Sequence, residues 1–127
     1  MSKPKQIVHV DDEEDILTIT RMALELVGGF EVIQFNSGKK ALEALSNLHP
    51  DLFLLDVMMP EMDGPELIAE IRKLPEHQST PVVFMTAKAE HQVQNMAVLS
   101  GALACITKPF DPLTLNEELS TLLEKNS

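Results

Sequence analysis

"LFLLDVMMPEMDGPEL", residues 52–67, decides the fold. Its first five residues, 52–56, are almost continuously apolar, which suits a central strand of a parallel sheet covered on both faces. Asp56 closes the run, where a carboxylate costs desolvation energy unless something compensates it. Pro60 and Asp63-Gly64 are turn signals. Pro65 then suits the first helical position, with Leu67, Ile68 and Ile71 as the buried stripe. The stretch reads as strand, turn and helix, with an acid at the junction.

The same unit recurs along the chain. "QIVHV" (6–10), "EVIQF" (31–35), "PVVFMT" (81–86) and "ACIT" (104–107) read as further strands. Between them, Ile16, Ile19, Ala23, Leu26 and Val27 recur at helical spacing and stop at Gly28-Gly29. Asn36 or Ser37 caps a helix running to about Leu48, with Ala41, Leu42 and Leu45 inward and Pro50 beyond its end. A weaker helix falls at about 90–100. Asp111 and Pro112 start a last one, carrying Leu115, Leu119, Leu122 and Leu123. Strands alternating with helices give a (βα)5 α/β fold with right-handed crossovers. It is a doubly wound five-stranded parallel sheet in the flavodoxin-like order 2-1-3-4-5.

Bulk numbers bound the function. The 127 residues suit one domain, 1–127, with a core at about 6–124 and loose tails, and 44% hydrophobic content argues against disorder. No repeat or low-complexity segment stands out. No apolar run has the length to span a bilayer, and "MSKPKQ" lacks a signal-peptide core, so a cytoplasmic location is expected. The single cysteine, Cys105, excludes an internal disulfide and a multi-cysteine metal site. A net charge of −10, with ten scattered basic residues, disfavours direct binding to nucleic acid.

In open α/β sheets ligands bind beyond the carboxyl ends of the strands, near the switch in strand order. Asp11 and Asp12 end the first strand, Asp56 the third and Thr86 the fourth, and Lys108 lies at the end of the fifth. Each has a plain structural reading: the acids of "DDEED" favour a helix N-terminus, and Asp56 caps a turn. Their conjunction is the informative part. Three carboxylates on one rim repel one another, and a divalent cation relieves that. The all-oxygen donor set favours Mg²⁺ or Mn²⁺ over zinc. Lys108 supplies a point charge suited to a phosphoryl oxygen, Thr86 a hydroxyl, and Asp56 a nucleophile able to form an acyl phosphate. His9 lies inside the first strand and reads as a sheet histidine with its bonds satisfied, not as a ligand.

"VHVDDEED", "LLDVMMPEMDG", "VVFMTAK" and "GALACITKPF", in that order, resemble the receiver (CheY-like) domain of bacterial two-component response regulators, in its stand-alone form. Thr86 lies 30 residues after Asp56 and Lys108 lies 52 after it, both fitting that family. The resemblance implies that Asp56 is the phosphoacceptor. It implies that Asp12 and Asp56 bind Mg²⁺ directly, with Asp11 acting through a water and Met58 through its backbone carbonyl. Thr86 and Lys108 would meet the phosphoryl group, and the Lys108–Pro109 peptide would be cis. Such a protein catalyses only its own phosphorylation and dephosphorylation. Its donor would be a phosphohistidine on a histidine kinase or histidine phosphotransfer protein. Output would be a phosphorylation-biased protein–protein interaction or a phosphorelay.

Cys105 stands where the family usually has an aromatic switch residue, three positions before the lysine. It reads as a small buried hydrophobe, with an altered switch or a redox sensor as the sharper readings. Met58 and Lys88, two residues after Asp56 and Thr86, would shield the acyl phosphate and slow its hydrolysis, although plain surface placement explains Lys88 equally well. The alternative function is a phosphate-insensitive protein-binding adaptor on the same fold. A flavodoxin would need a Ser/Thr- and Gly-rich loop where "DDEED" stands. A haloacid-dehalogenase-type phosphatase would need an aspartate where Met58 stands.

Overall fold

The computed structural model describes residues 5–87 and 101–125. Five parallel strands form one sheet in the order β2-β1-β3-β4-β5: β1 Gln6–Val10, β2 Glu31–Phe35, β3 Leu52–Asp56, β4 Val82–Thr86 and β5 Ala104–Thr107. Helix α1 spans Glu14–Met22 and runs into a π turn at Ala23–Val27. Helices α2 (Gly38–Ala44), α3 (Gly64–Ile71) and α4 (Pro112–Lys125) follow. The helix expected at 90–100, and Lys88, lie outside the described residues.

Strand alternation sorts the core into two layers. Val8, Val10, Phe53, Leu55 and Phe84 face Ala41, Leu45, Leu67, Ile68 and Ile71 of the α2–α3 side. Ile7, Leu54, Val83 and Met85 face Leu24 of the π turn and Leu115 and Leu119 of α4. Every residue of β3 is buried, as its unbroken apolar run requires.

The first helix departs from its sequence pattern. Ile19, Leu26 and Val27 are exposed, whereas Leu17, Thr20, Ala23 and Leu24 are buried. Apolar residues occupy two neighbouring rows of this helix, and periodicity does not say which row meets the sheet. The π turn, closed by the Gly28 N–H on the Ala23 carbonyl at 3.3 Å, rotates Leu26 and Val27 outward. Gly29, at φ 71°, then takes the chain through the left-handed region that glycine enters without strain.

Smaller boundary shifts have local causes. Ser37, rather than Asn36, caps α2 by accepting from Lys40 N–H, and the helix tightens to a 3-10 turn at Leu45–Asn47 before Pro50. Asp63 is the N-cap of α3 in a reciprocal capping box with Glu66, which places Pro65 second rather than first in that helix. β4 starts at Val82, one residue after Pro81.

The α3 capping box holds Gly64 behind the β3 terminus. A Cβ there would stand 2.6 Å from the Asp56 carbonyl oxygen and 2.9 Å from the Phe84 ring. Gly64→Ala is therefore expected to lower stability by about 1–3 kcal/mol through overpacking, read as a lower midpoint in urea denaturation. An unchanged midpoint would show that the junction yields without cost.

Candidate functional site

The rim beyond the strand termini gathers side chains from β1, β3, β4 and β5. Asp11 follows β1 directly; its N–H donates to the Phe35 carbonyl at 3.2 Å, extending the strand pairing by one bond. Its carboxylate is fully buried. Oδ1 accepts from Glu13 N–H at 2.9 Å, and Oδ2 lies 2.7 Å from Lys108 Nζ. Asp56 is 3% exposed; its Oδ1 accepts from Met58 N–H at 3.3 Å and its Oδ2 lies 3.4 Å from Lys108 Nζ. Lys108 is anchored through its own N–H on the Thr86 carbonyl at 2.7 Å, and its peptide to Pro109 is cis, as expected. Thr86 is buried at the end of β4.

One carboxylate oxygen from each of Asp11, Asp12, Glu13 and Asp56 lies within 4.8 Å of the others. Asp12 and Glu13 are exposed and the other two buried. Glu13 is the residue that sequence reasoning missed. Its Oε1 sits 3.4 Å from Lys108 Nζ, 95 positions away in the chain. The only signal for it was membership of "DDEED", which equally describes an acidic helix start. Asp11, Asp12 and Asp56 offer the all-oxygen donors that suit a hard divalent cation, and Glu13 lies at their edge against Lys108.

Electrostatics follow from burial. Desolvation, then the charge of Asp11, pushes the Asp56 carboxyl up to about 7, against the opposing pull of Lys108 and Met58 N–H. Burial draws Lys108 down, but the hydrogen bond and charge of Asp11, with Asp56 and Glu13, hold it above the ordinary lysine value. His9 is fully buried; its Nδ1 pairs with Gln34 Nε2 at 3.1 Å while its Nε2 has no hydrogen-bond partner. It is thus only half satisfied. Burial, then Lys108, lowers it to about 3, so it stays neutral. The Met58 side chain is 62% exposed beside the site. Cys105 is half-buried, pairs in register with Phe84 and packs against the α2–α3 layer. Burial raises its thiol, which disfavours the thiolate a redox role needs.

A carboxyl whose folded value rises from 3.8 to about 7 is protonated in the fold while already ionised in the unfolded chain. Stability of the metal-free protein therefore falls as pH climbs through that window. Asp56→Asn removes this loss. The variant is expected to exceed the parent by roughly 2 kcal/mol at pH 8 in chelator and to match it more closely at pH 5. Denaturant melts at the two pH values check this; equal gaps at both would contradict it.

The Response regulator receiver domain family profile matches residues 7–120. The chain is 38% identical over 128 residues to the regulatory protein AtoC of Escherichia coli (strain K12), covering 100% of this chain and 27% of AtoC. It is 40% identical over 109 residues to an uncharacterised 14.6 kDa protein of Leptolyngbya boryana, covering 86% of this chain and 82% of that one. The structure of the chemotaxis response regulator CheY4 of Vibrio cholerae superposes with a TM-score of 0.86 at 27% identity, over 94% of this chain and 98% of that one. With a buried carboxylate–lysine rim on a five-stranded parallel sheet and a family match along nearly its whole length, the chain belongs to the response regulator receiver domains.

Proposed function

We infer that Asp56 accepts a phosphoryl group from a phosphohistidine donor in a Mg²⁺-dependent reaction. The observation that carries this is a buried Asp56 carboxylate, at the end of the central strand, 3.4 Å from a buried lysine and inside a four-carboxylate ring. In the transfer the P–N bond to the donor imidazole breaks as an O–P bond to Asp56 forms. Asp12 and Asp56 would hold Mg²⁺ directly, Asp11 through a water, and Met58 through its carbonyl; the bound ion neutralises phosphoryl charge. Lys108 neutralises it from another side, and Thr86 offers a hydroxyl once the group is in place. Because such transfer is mostly positioning and charge compensation, a rim fixed by four strand ends supports it. Mn²⁺ would fit the same oxygens.

The chain then works as a receiver that catalyses only its own phosphorylation and dephosphorylation. In our reading it acts in the cytoplasm. Its output is a phosphorylation-biased interaction with another protein, or onward transfer in a relay. Among the described residues no helix is long and apolar enough to cross a membrane. With Cys105 at the switch position, the Thr86 movement has no aromatic ring to draw inward, and the conformational signal passes through the smaller thiol.

The donor is a histidine kinase or histidine phosphotransfer protein. The exposed apolar row of α1 and its π turn, Ile19, Met22, Leu26 and Val27, supports this. It begins one turn beyond the acidic rim, on the helix that Asp11 and Asp12 lead into, and suits the apolar face of a donor helix. Met22→Glu is expected to slow transfer from a histidine phosphotransfer protein at least about tenfold, since a buried charge disrupts such a face. The rate with acetyl phosphate should stay unchanged. Equal slowing with both donors would remove α1 as the docking face.

The direct test is intact mass after acetyl phosphate and Mg²⁺, beside Asp56→Asn and a chelated control. One phosphoryl group on the parent alone, and only with metal, is expected. Its lifetime is expected to exceed minutes, because the exposed Met58 side chain shields the group from water. A lifetime of seconds would remove that role. No addition from either acetyl phosphate or a phosphohistidine donor would favour the phosphate-insensitive adaptor.

A further inference from the structure

Lys108 faces three carboxylates, and only one of them is free to move. Asp11 is fully buried, with Oδ1 accepting from Glu13 N–H and Oδ2 in an ion pair with Lys108. Asp56 is fixed at the β3 terminus. Glu13 alone is exposed, with its side chain 57% accessible. It occupies the N-cap position of α1, yet its side chain makes no capping bond. Glutamate is not among the favoured N-cap residues, so its side chain is free to turn elsewhere. Here it reaches Lys108 Nζ at 3.4 Å instead.

The Lys108 ammonium lies 2.7 Å from Asp11 and 3.4 Å from each of Asp56 and Glu13, and the contact with Glu13 has hydrogen-bond geometry. A phosphoryl group arriving at Asp56 needs a share of the same ammonium. Asp11 does not yield its share without leaving a buried carboxylate unpaired. Glu13 yields its share at little cost, because water replaces the bond. Until it does, its charge competes with the phosphoryl oxygens for the same ammonium.

We propose that Glu13 is a positioning residue that restrains Lys108 before phosphoryl transfer and so slows phosphorylation by small anionic donors. This rests on the phosphoacceptor reading of Asp56. The site is then paced by an ion pair that must open, with Lys108 handed from Glu13 to the phosphoryl group.

The test uses acetyl phosphate at saturating Mg²⁺ with the parent, Glu13→Gln and Glu13→Asp. In the reaction the donor P–O bond breaks, acetate leaves with the electron pair, and the Asp56 oxygen bonds to phosphorus. Glu13→Gln is expected to be faster by about two- to fivefold, the range set by a partly exposed ion pair. Glu13→Asp keeps the charge but withdraws the oxygens by one methylene from Lys108. It is expected to gain at least half of that acceleration on a logarithmic scale. Mg²⁺ affinity, measured separately by calorimetry, is expected to change less than about twofold, because Glu13 reaches Lys108 and the proposed ligands of the ion are Asp11, Asp12, Asp56 and the Met58 carbonyl.

An unchanged rate in Glu13→Gln overturns the proposal. So does a Glu13→Asp rate equal to the parent's beside a fast Glu13→Gln, which would assign the effect to charge alone. A tenfold loss of Mg²⁺ affinity with an unchanged saturated rate would make Glu13 part of the metal shell and overturn it too. A parent that takes up no phosphoryl group removes the reading of Asp56 itself, and this proposal with it. That result is distinct from a phosphorylated parent with an indifferent Glu13.

Discussion

The contact between the Lys108 ammonium and the Asp11 carboxylate, at 2.7 Å and away from water, is the one on which the rest of the rim depends. Two charges leave solvent there, which is favourable only when geometry and further hydrogen bonds are good. Both conditions are met. The other Asp11 oxygen is bound by Glu13 N–H, and the lysine is shared with Asp56 and Glu13. Removing Lys108 would leave the buried Asp11 carboxylate without an opposite charge. The pair also joins β1 to the segment after β5, strands that do not touch in the sheet order.

The sheet makes that contact possible because it is rigid where it matters. β3 runs through the middle, flanked by β1 and β4, and packs on both faces. Asp56 therefore inherits a fixed position. Gly64, the α3 capping box and the Phe84 ring close off the space behind it. What remains adjustable lies on the solvent side: Asp12, Glu13 and the Met58 side chain are all exposed. The site thus combines a fixed buried carboxylate and lysine with a movable outer ring of exposed side chains.

Buried polar groups away from the rim serve the scaffold. His77 is fully buried, and its Nε2 donates to the Leu45 carbonyl at 3.1 Å, since a carbonyl can only accept. It ties the short turn after α3 to the end of α2, with its ring edge-on to Phe53. Gln34 bridges β2 to α1 and β1, donating to the Leu17 carbonyl at 2.7 Å and to His9 Nδ1. These bonds lock helices to the sheet without contributing a ligand to the rim.

The sequence alone determined the order of elements, the parallel sheet and the meeting of Asp11, Asp12, Asp56, Thr86 and Lys108 at one edge. Those features follow from local patterns: apolar runs of strand length, turn residues between them, and a topology with few alternatives. The caps at Ser37 and Asp63 are local chemistry of the same kind. Tertiary structure decided the rest. It chose which apolar row of α1 and its π turn meets the sheet, because Ala23 and Leu24 fit the layer shared with α4 while Ile19 and Leu26 were equally apolar. It turned Glu13 toward Lys108, a contact between residues far apart in sequence that no periodicity encodes. It also left His9 with one nitrogen unpaired. Periodicity reports what a segment is able to bury, and only the packed neighbours settle what it does bury.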